Sequence, residues 1–444
     1  MREKKIRLIE LEPSYILILG FGSLIAVGTL LFMLPFSTTD GQGLSFIDAL
    51  FEATSAVCVT GLAVVDTGGT FNFFGQIILL VLIQVGGWGF MTTGVFMVIL
   101  LGKKLSLKEQ ALLQSTLNQV TLQGAVTLVK RIIAITLIVE CLAAFVLAVR
   151  WSFEMSVSQS IYYAVFHSIS AFNNAGFGLE SDNLIQWVGD PTINIIITSL
   201  FIIGGIGFTV IMDLLRTRSF KRLSLHSKLT LLLTLIINIM ACSLIFFLEH
   251  NNPLTMESMG MSDQLWASYF QGVVTRTAGF STVDIGQMTL SSQVLMMGLM
   301  FIGAGSASTG GGIKITTFGL IILAVWSFLS DKTHVSIFRR TISWDLVHKA
   351  FTITLTAVIF IFFIFFLFTI TENLPMSDLL FEAISAFGTV GLSTGITAHL
   401  SFTGKFLISV LMFIGRVGPL TMAFALMSKT KSKVRYVEEK IMIG

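Results

Sequence analysis

The sequence predicts an all-α polytopic membrane protein with eight transmembrane helices, arranged as four repeats of helix, re-entrant loop and helix. Only 12% of the residues are charged, against about 25% in a typical soluble domain, and 54% are hydrophobic. Several long segments carry no charge at all: 13–39, 67–102, 191–212 and 350–371. Because a spanning helix needs about 20 apolar residues, each segment is long enough to cross a bilayer.

The distribution of Lys and Arg predicts the number and direction of the crossings. Most basic residues fall in five clusters, at 2–7, 103–131, 216–228, 332–349 and 429–440. The positive-inside rule places all five in the cytoplasm, so both termini are predicted to be cytoplasmic, with two crossings between successive clusters. The first apolar segment is longer than the core of a signal peptide, so we expect a retained helix. The opposite face is rich in Asp and Glu and should attract cations.

An internal repeat matches this fourfold pattern. Aligned without gaps, four segments share a glycine at their eleventh position: FEATSAVCVTGL (51–62), FHSISAFNNAGF (166–177), YFQGVVTRTAGF (269–280) and FEAISAFGTVGL (381–392). A second element recurs in each following helix: VGGWGF (85–90), IGGIGF (203–208), IGAGSA (302–307) and IGRVGP (414–419). The predicted repeats are 13–101, 126–215, 228–330 and 346–428, between cytoplasmic ends at 1–12 and 429–444.

The apolar stretch before each repeated glycine is too short to span a bilayer but long enough for a re-entrant helix. Irregular backbone at membrane depth is tolerated only where protein buries it or where it lines an aqueous cavity. Four such loops around a pseudo-fourfold axis therefore predict a central pore.

The loop residues suit a monovalent cation that has lost its water. None of the four loops contains a carboxylate, whereas a Ca²⁺ or Mg²⁺ site would gather Asp or Glu. Backbone carbonyls can replace a hydration shell, and glycine lets the backbone turn them toward an axis. The candidate filter residues are Cys58, Val59, Thr60, Gly61, Asn173, Asn174, Ala175, Gly176, Arg276, Thr277, Ala278, Gly279, Gly388, Thr389, Val390 and Gly391.

These loops, together with FIGAGSASTGGGIK (301–314) and FIGRVGPLT (413–421), resemble the superfamily of K⁺ transporters that includes the Trk, Ktr and plant HKT membrane subunits. The resemblance runs from about residue 13 to the C-terminus, and the length is similar to that of the Ktr type, KtrB or KtrD. In that superfamily, glycine at all four filter positions accompanies K⁺ selectivity, and serine in the first accompanies Na⁺ transport. Gly61 therefore implies K⁺ as the transported ion.

The resemblance also implies channel-like passive conduction in a bacterial plasma membrane, with no cofactor in this chain. It implies a homodimer in which each subunit has its own pore, on a cytoplasmic regulatory ring of KtrA or KtrC type that binds ATP or ADP. The chain shows no soluble regulatory domain, so control is expected to come from that ring. The basic inner clusters suit contacts with the ring, and anionic membrane lipids explain them equally well. No nucleic-acid partner is predicted.

A gate is predicted below the filter, in a glycine-rich segment at 303–312 whose side chains are no larger than Thr. Each glycine costs about 1 kcal/mol relative to alanine in a helix, so this segment favours a flexible loop. Close helix packing through small residues remains the structural alternative. The resemblance assigns the segment a gating role. The candidate gate residues are Gly303, Gly305, Ser306, Ser308, Thr309, Gly310, Gly311, Gly312, Lys314 and Arg416.

Three basic residues lie within or at the edge of apolar segments. Arg416 should raise a barrier to cations, and the resemblance gives it that role. The alternative is an ion pair with Glu140 or another carboxylate, and both can hold if the pair breaks on opening. Lys314 is expected to face the cytoplasm at the loop exit. The Arg276 side chain is expected to point away from the pore axis and bond to its surroundings.

Carboxylates at matching places in the repeats are expected to support the filter. In the ungapped alignment Glu52 and Glu382 are equivalent to His167 and Phe270. An enzyme is not expected, because the chain has no nucleotide-binding loop and no His or Cys cluster with metal-binding spacing. An alternating-access symporter coupled to Na⁺ or H⁺ remains the functional alternative.

Overall fold

The structure is a computed structural model that describes residues 13–89, 92–93, 122–426, 439 and 442. The predicted cytoplasmic segment 1–12 lies outside the described residues, as do most of the second basic cluster and of the C-terminal segment 429–444. Within the described residues the fold is predominantly helical, as the sequence predicted.

Four long helices have the apolar length needed to cross a membrane. They are Pro13–Phe32, Leu122–Trp151, Leu225–Glu249 and Trp344–Thr371. In their apolar windows only 33% of the residues of the first two and 22% of the last two are buried inside the protein. Apolar side chains that face outward, such as Phe362, which is 68% exposed, would be more stable in contact with lipid than in contact with water.

A short half-helix follows each long helix. The half-helices are Phe46–Cys58, Val157–Phe172, Met261–Val274 and Met376–Gly388. Each carries, near its middle, a phenylalanine that is 0% exposed: Phe51, Phe166, Phe270 and Phe381. These four rings anchor the half-helices in the protein core rather than at the lipid-facing surface.

A return helix then runs back in each repeat. The return helices are Phe73–Trp88, Pro191–Ile206, Leu290–Phe301 and Phe402–Val417. Polar side chains cap all four by accepting backbone N–H groups of the first turn, at Asn72, Asp190, Thr289 and Ser401. Since those N–H groups have no partner inside the helix, the caps fix where each return helix begins.

The return helices stop at the second repeated element. The sequence predicted such a break only in the third repeat. Three end at a glycine with positive φ: 81° at Gly89, 100° at Gly207 and 98° at Gly418. A residue with a side chain rarely adopts these angles, so the glycines terminate the helices. The third return helix ends at Phe301, and regular helix resumes only at Ile315.

These breaks limit how many helices qualify as continuous spans. The helix pair Pro191–Ile206 and Phe208–Thr217 passes the same test only when taken together, with a 94° bend between its halves. By length and composition the described residues therefore contain four candidate spans, or five if the bent pair is one span, and the eight transmembrane helices stay a prediction. Shorter helices also follow the breaks of the third and fourth repeats, at Ile315–Leu329 and Pro419–Leu426.

The first glycine of the second element explains why that element recurs. In three repeats it lies against the last turn of the half-helix of its own repeat: Gly86 against Val57, Gly204 against Phe172 and Gly415 against Phe387. A Cβ at any of these glycines would collide with the carbonyl oxygen of its partner. Glycine therefore lets each return helix pack directly on the half-helix whose end carries the repeated loop.

A β-hairpin joins the third repeat to the fourth. Val335–Ile337 pairs antiparallel with Arg340–Ile342, within the fourth basic cluster. Phe338 and Arg339 form its tight turn with positive φ values of 49° and 59°. The remaining short elements are helical turns at Thr67–Thr70, Pro35–Ser37, Ile185–Trp187, Phe220–Arg222, Ile285–Gln287 and Thr397–His399.

Candidate functional site

The repeated loops meet one another at their final glycines. The loops comprise residues 57–61, 172–176, 275–279 and 387–391. A Cβ built on Gly61 would lie 3.1 Å from the Cα of Gly176, and one built on Gly176 would lie 2.6 Å from the Cα of Gly279. A Cβ built on Gly391 would lie 3.0 Å from the Cα of Gly61. The four loops are thus in backbone contact, which only residues without a side chain permit.

The loops share one backbone shape. The four glycines have φ values of 94°, 72°, 73° and 90° in chain order. Two residues earlier each loop has a left-handed residue that is not glycine, at Val59, Asn174, Thr277 and Thr389. Such conformations cost about 1–2 kcal/mol, and their recurrence at one position in four different sequences indicates a shape that the surrounding contacts impose.

The hydrogen-bonded turn that closes the third loop spans one residue fewer than in the other three repeats. In the other three repeats the residue before the glycine donates its N–H to the carbonyl five residues earlier, as from Thr60 to Ser55 at 2.8 Å. In the third repeat Ala278 donates instead to Val274, four residues earlier, at 3.2 Å. Phe270 is therefore the counterpart of Phe51, and Gln271 is the counterpart of Glu52. The equivalence of Phe270 with Glu52, taken from the ungapped alignment, was wrong.

Polar side chains of the half-helices hold the chain that leaves the loops. Glu52 accepts hydrogen bonds from backbone N–H groups that follow the first loop, and Glu382 accepts from hydroxyl groups that follow the fourth. Both carboxyl groups are 0% exposed. The geometry thus agrees with the expected supporting role of both residues.

The glycine-rich segment is not helical and crosses the broken end of the second return helix. Gly305 donates its N–H to Gly205 O at 2.7 Å, and Thr309 donates to Gly204 O at 3.3 Å. Gly303 donates to Ile313 O at 2.8 Å, which folds the segment back on itself. Close packing of one continuous helix, the structural alternative, is therefore not the conformation of 303–312.

The same segment bonds to side chains of the repeated loops. Thr309 Oγ1 donates to Asn174 Oδ1 at 2.8 Å, and the N–H of Gly311 donates to Thr389 Oγ1 at 3.0 Å. Asn174 Nδ2 in turn donates to Thr277 Oγ1 at 3.3 Å. Three of the four left-handed loop residues thus form one hydrogen-bonded layer with the segment.

Arg416 joins the glycine-rich segment to the first return helix. Its guanidinium donates to the carbonyls of Thr309 and Gly86, and to Gly87 O at 3.4 Å. Gly86 and Gly87 lie in the last turn of Phe73–Trp88, where a helix carries partial negative charge. Within the part of the chain that the structure describes, the cation is therefore stabilised by carbonyl dipoles and not by a carboxylate.

The alternative for Arg416, an ion pair with Glu140, is absent from the described part of the chain. Glu140 instead accepts a hydrogen bond from Asn173 Nδ2 at 3.1 Å. That amide also donates to Gln84 Oε1 at 3.1 Å. Among the described residues Arg416 forms no ion pair with Glu140 or with another carboxylate, and Glu140 is engaged with the second loop.

The two other candidate cations also bond locally. Lys314 Nζ donates to Gly310 O at 2.7 Å, so it contacts the glycine-rich segment, and its orientation toward the cytoplasm stays a prediction. Arg276 is 6% exposed and donates to Thr234 Oγ1 on Leu225–Glu249 at 3.2 Å. This direction, toward a long helix and away from the other three loops, is the one expected for Arg276.

The remaining candidate residues lie either in the repeated loops or in the glycine-rich segment. Cys58, Thr60, Asn173, Ala175, Ala278, Gly388 and Val390 are buried in the loops. In the segment, Ser308 donates to Gly305 O at 2.6 Å, and Ser306 lies 3.3 Å from Thr316 between hydroxyl oxygens. Gly310 and Gly312 contact the third and fourth loops, at Thr277 and Gly388.

A small polar cavity lies against the first and second loops. It has a volume of about 120 Å³ and is lined by Gly61 and Gly176 together with Asp66 and Glu180. The sequence had indicated acidic connections but not this position, which depends on the packing of two repeats. The cavity brings carboxylates to the edge of the loop glycines.

Comparisons with known proteins agree with this architecture. Residues 16–434 match the family model TrkH, described as a cation transport protein. The chain is 48% identical to Ktr system potassium uptake protein B of Bacillus subtilis (strain 168), over 100% of this chain and 99% of that protein. It is 43% identical to the Vibrio alginolyticus protein of the same name, over 98% and 95%.

The fold is also found in a solved structure. The crystal structure of the potassium transporter TrkH from Vibrio parahaemolyticus matches with a TM-score of 0.73 and 18% identity, and the match covers 96% of this chain and 87% of that one. At that identity the match shows the fold alone. These relatives are transport proteins, in agreement with the prediction that the chain is not an enzyme. The chain belongs to the TrkH family of cation transport proteins.

Proposed function

We propose that this chain is the K⁺-translocating subunit of a Ktr-type uptake system, with passive conduction through a central pore lined by the repeated loops. The observation that carries the proposal is the contact of four loops through glycines with positive φ, without any carboxylate among the loop residues. The names of the two bacterial relatives, which are potassium uptake proteins, support K⁺ as the ion.

Backbone carbonyls at the loops would replace the water of a dehydrated K⁺ ion. The half-helices end at these loops, so their C-terminal partial negative charges would add to the attraction for a cation. Asp66 and Glu180 at the neighbouring cavity would raise the local cation concentration at the entrance. In a pseudo-fourfold pore formed by the four repeats, all four loops would contribute carbonyl ligands to the ion.

The glycine-rich segment would be the gate on the inner side of the loops. Its bonds to Asn174 and Thr389 support a closed position directly under the filter. Arg416 would hold it there, because one guanidinium bonds both Thr309 of the segment and Gly86 of a return helix. Opening would require these bonds to break and the positive charge to leave the ion path.

Control would come from a cytoplasmic ring of KtrA or KtrC type that binds ATP or ADP. The printed names of both bacterial relatives refer to a Ktr system, which supports further components. Arg216 and Lys228 of the third basic cluster would offer positive charge to such a ring or to anionic lipid headgroups. A homodimer in a bacterial plasma membrane, with both termini in the cytoplasm, completes the proposal.

Alternating-access symport coupled to Na⁺ or H⁺ is the second candidate, because broken helices are typical of such transporters. The 94° bend at Ile206 favours this alternative. Its repeats would be inverted, whereas a basic cluster precedes each of the four repeats here, which predicts that all four enter the membrane from the same side. Parallel repeats favour a continuous pore.

Uptake of K⁺ and Na⁺ by a transport-deficient bacterial strain tests the proposed function. Expression of this chain with its nucleotide-binding partner should give K⁺ uptake that exceeds Na⁺ uptake and that falls when the partner is omitted. In liposomes an imposed Na⁺ or H⁺ gradient should not drive K⁺ against its own gradient. Uphill K⁺ movement under either gradient would establish the symporter instead.

A further inference from the structure

The residue that follows the buried phenylalanine of each half-helix occupies one structural position behind the loops. In the first repeat, Glu52 Oε1 accepts from the backbone N–H of Val64 at 2.7 Å and of Val65 at 3.3 Å. These are the third and fourth residues after the loop glycine. The carboxyl group therefore ties the outgoing chain to the half-helix.

Gln271 makes the same tie in the third repeat. With its side-chain amide oriented so that the oxygen accepts, Gln271 receives N–H bonds from Thr282 at 2.9 Å and Val283 at 3.2 Å. Thr282 and Val283 are again the third and fourth residues after the loop glycine. A neutral amide and a carboxyl group thus perform one task at equivalent positions.

The fourth repeat uses hydroxyl groups as intermediates. Glu382 Oε1 accepts from Ser393 and from Thr397 Oγ1, the latter at 2.9 Å. Ser393 Oγ then accepts the N–H of Gly395 at 2.9 Å. In the second repeat His167 bonds through Nδ1 to Tyr163 O at 2.9 Å, within its own half-helix.

The surroundings of the two carboxyl groups argue against a role that depends on charge. Glu52, Gln271 and Glu382 are all 0% exposed. Within the described residues, Oε2 of Glu52 and of Glu382 has no hydrogen-bond partner, and neither carboxyl forms an ion pair. An isolated buried carboxylate is costly, and Gln271 satisfies the same position without charge. In the first, third and fourth repeats the position requires a hydrogen-bond acceptor.

We infer that Glu52, Gln271 and Glu382 are positioning residues for ion selectivity, each fixing the chain that leaves its loop and acting as a neutral acceptor. This inference rests on the proposed function, because it matters only if the loops select the ion. When these hydrogen bonds are lost, the chain that leaves the loop can move. The carbonyl oxygens of that loop are then no longer held at a fixed distance from the pore axis. Discrimination between K⁺ and Na⁺ should then fall while ions still pass.

The K⁺ over Na⁺ permeability ratio of the purified chain in liposomes tests the inference. Glu52→Ala should lower the ratio at least about threefold, the effect expected when one or two hydrogen bonds are lost, and Glu52→Gln should stay within about twofold of wild type. Gln271→Met, which keeps the size but removes the acceptor, should lower the ratio in the same way. Glu257→Gln, at an exposed loop carboxylate, is the control for loss of negative charge and should change nothing.

Two results would overturn the inference. The first is a wild-type ratio in folded Glu52→Ala and Gln271→Met; if Glu52→Ala does not fold, Gln271→Met decides alone. The second is a ratio in Glu52→Gln as low as in Glu52→Ala, since the carboxylate charge would then be required. Gly61→Ser in the same assay separates failure of the proposed filter from failure of the positioning role. If it alters the ratio while the tie variants do not, the filter stands and the positioning role fails.

Discussion

The repeated loops and the ends of the return helices differ in how closely they keep fourfold symmetry. Each loop has a positive-φ glycine and a left-handed residue two positions earlier. The return-helix ends are alike in three repeats, but the third is replaced by the glycine-rich segment and the fourth alone carries Arg416. A selective ring needs equivalent ligands from all repeats, whereas a gate needs only one element that can move. Selectivity should therefore depend on the shared features and control on the exceptions.

The largest expected change in flux follows from removing the exceptional charge. Arg416→Ala should raise K⁺ flux without the regulatory partner at least about tenfold, equivalent to ~1.4 kcal/mol of barrier, because the cation and its bonds to Thr309 and Gly86 are lost. The measurement is K⁺ efflux from liposomes. Lys405→Ala removes a charge of the same repeat that pairs with Asp48 at 2.7 Å and should leave the basal flux unchanged. Lower flux in folded Arg416→Ala would contradict the gate.

A smaller increase is expected from releasing the segment from the loops. Thr309→Val removes the hydroxyl that donates to Asn174, and one such bond is worth about 1 kcal/mol, so basal flux should rise about fivefold. Ser308→Ala is the matched control, because among the described residues its hydroxyl bonds inside the segment, to Gly305. Equal effects of both variants in the efflux assay would mean that contact with the loops does not hold the segment.

The shared helix breaks should affect stability more than transport control. Gly207→Ala places a Cβ at a φ of 100° and against Ser306 O, and should destabilise the protein by about 1–2 kcal/mol. Thermal unfolding in detergent should show a lower midpoint. Gly22→Ala, in the long helix Pro13–Phe32, meets nothing within 4 Å and should not lower it. An unchanged midpoint for Gly207→Ala would contradict the argument that backbone conformation ends this helix.

The features that the sequence predicted are those that recur when the four repeats are aligned along the chain. The loop glycines, the short helices before them and the absence of loop carboxylates could all be identified from aligned segments. The non-helical glycine-rich segment could be predicted because its composition alone disfavours a helix. The supporting role of Glu52 and Glu382 followed from their matching positions.

The features that the sequence did not predict depend on contacts between repeats or on a change of register. The third repeat has one residue fewer between the buried phenylalanine and the loop glycine, and the sequence alone does not show this. An ungapped alignment on the glycines places Phe270 one position away from its structural counterparts. The partners of Arg416 are backbone carbonyls of distant segments, which residue types do not reveal. The breaks at Gly89, Gly207 and Gly418 depend on φ values that a glycine permits but does not require.

The claim that four equivalent loops select K⁺ is tested most directly by the K⁺ over Na⁺ permeability ratio of Gly61→Ser and wild-type protein in liposomes. A Cβ at position 61 would enter the backbone of the second loop at Ala175 and disturb the contact between two repeats. The ratio should fall at least about tenfold, a loss of ~1.4 kcal/mol of discrimination, with the variant still folded and conducting. An unchanged ratio would contradict the assignment of these loops as the selectivity filter.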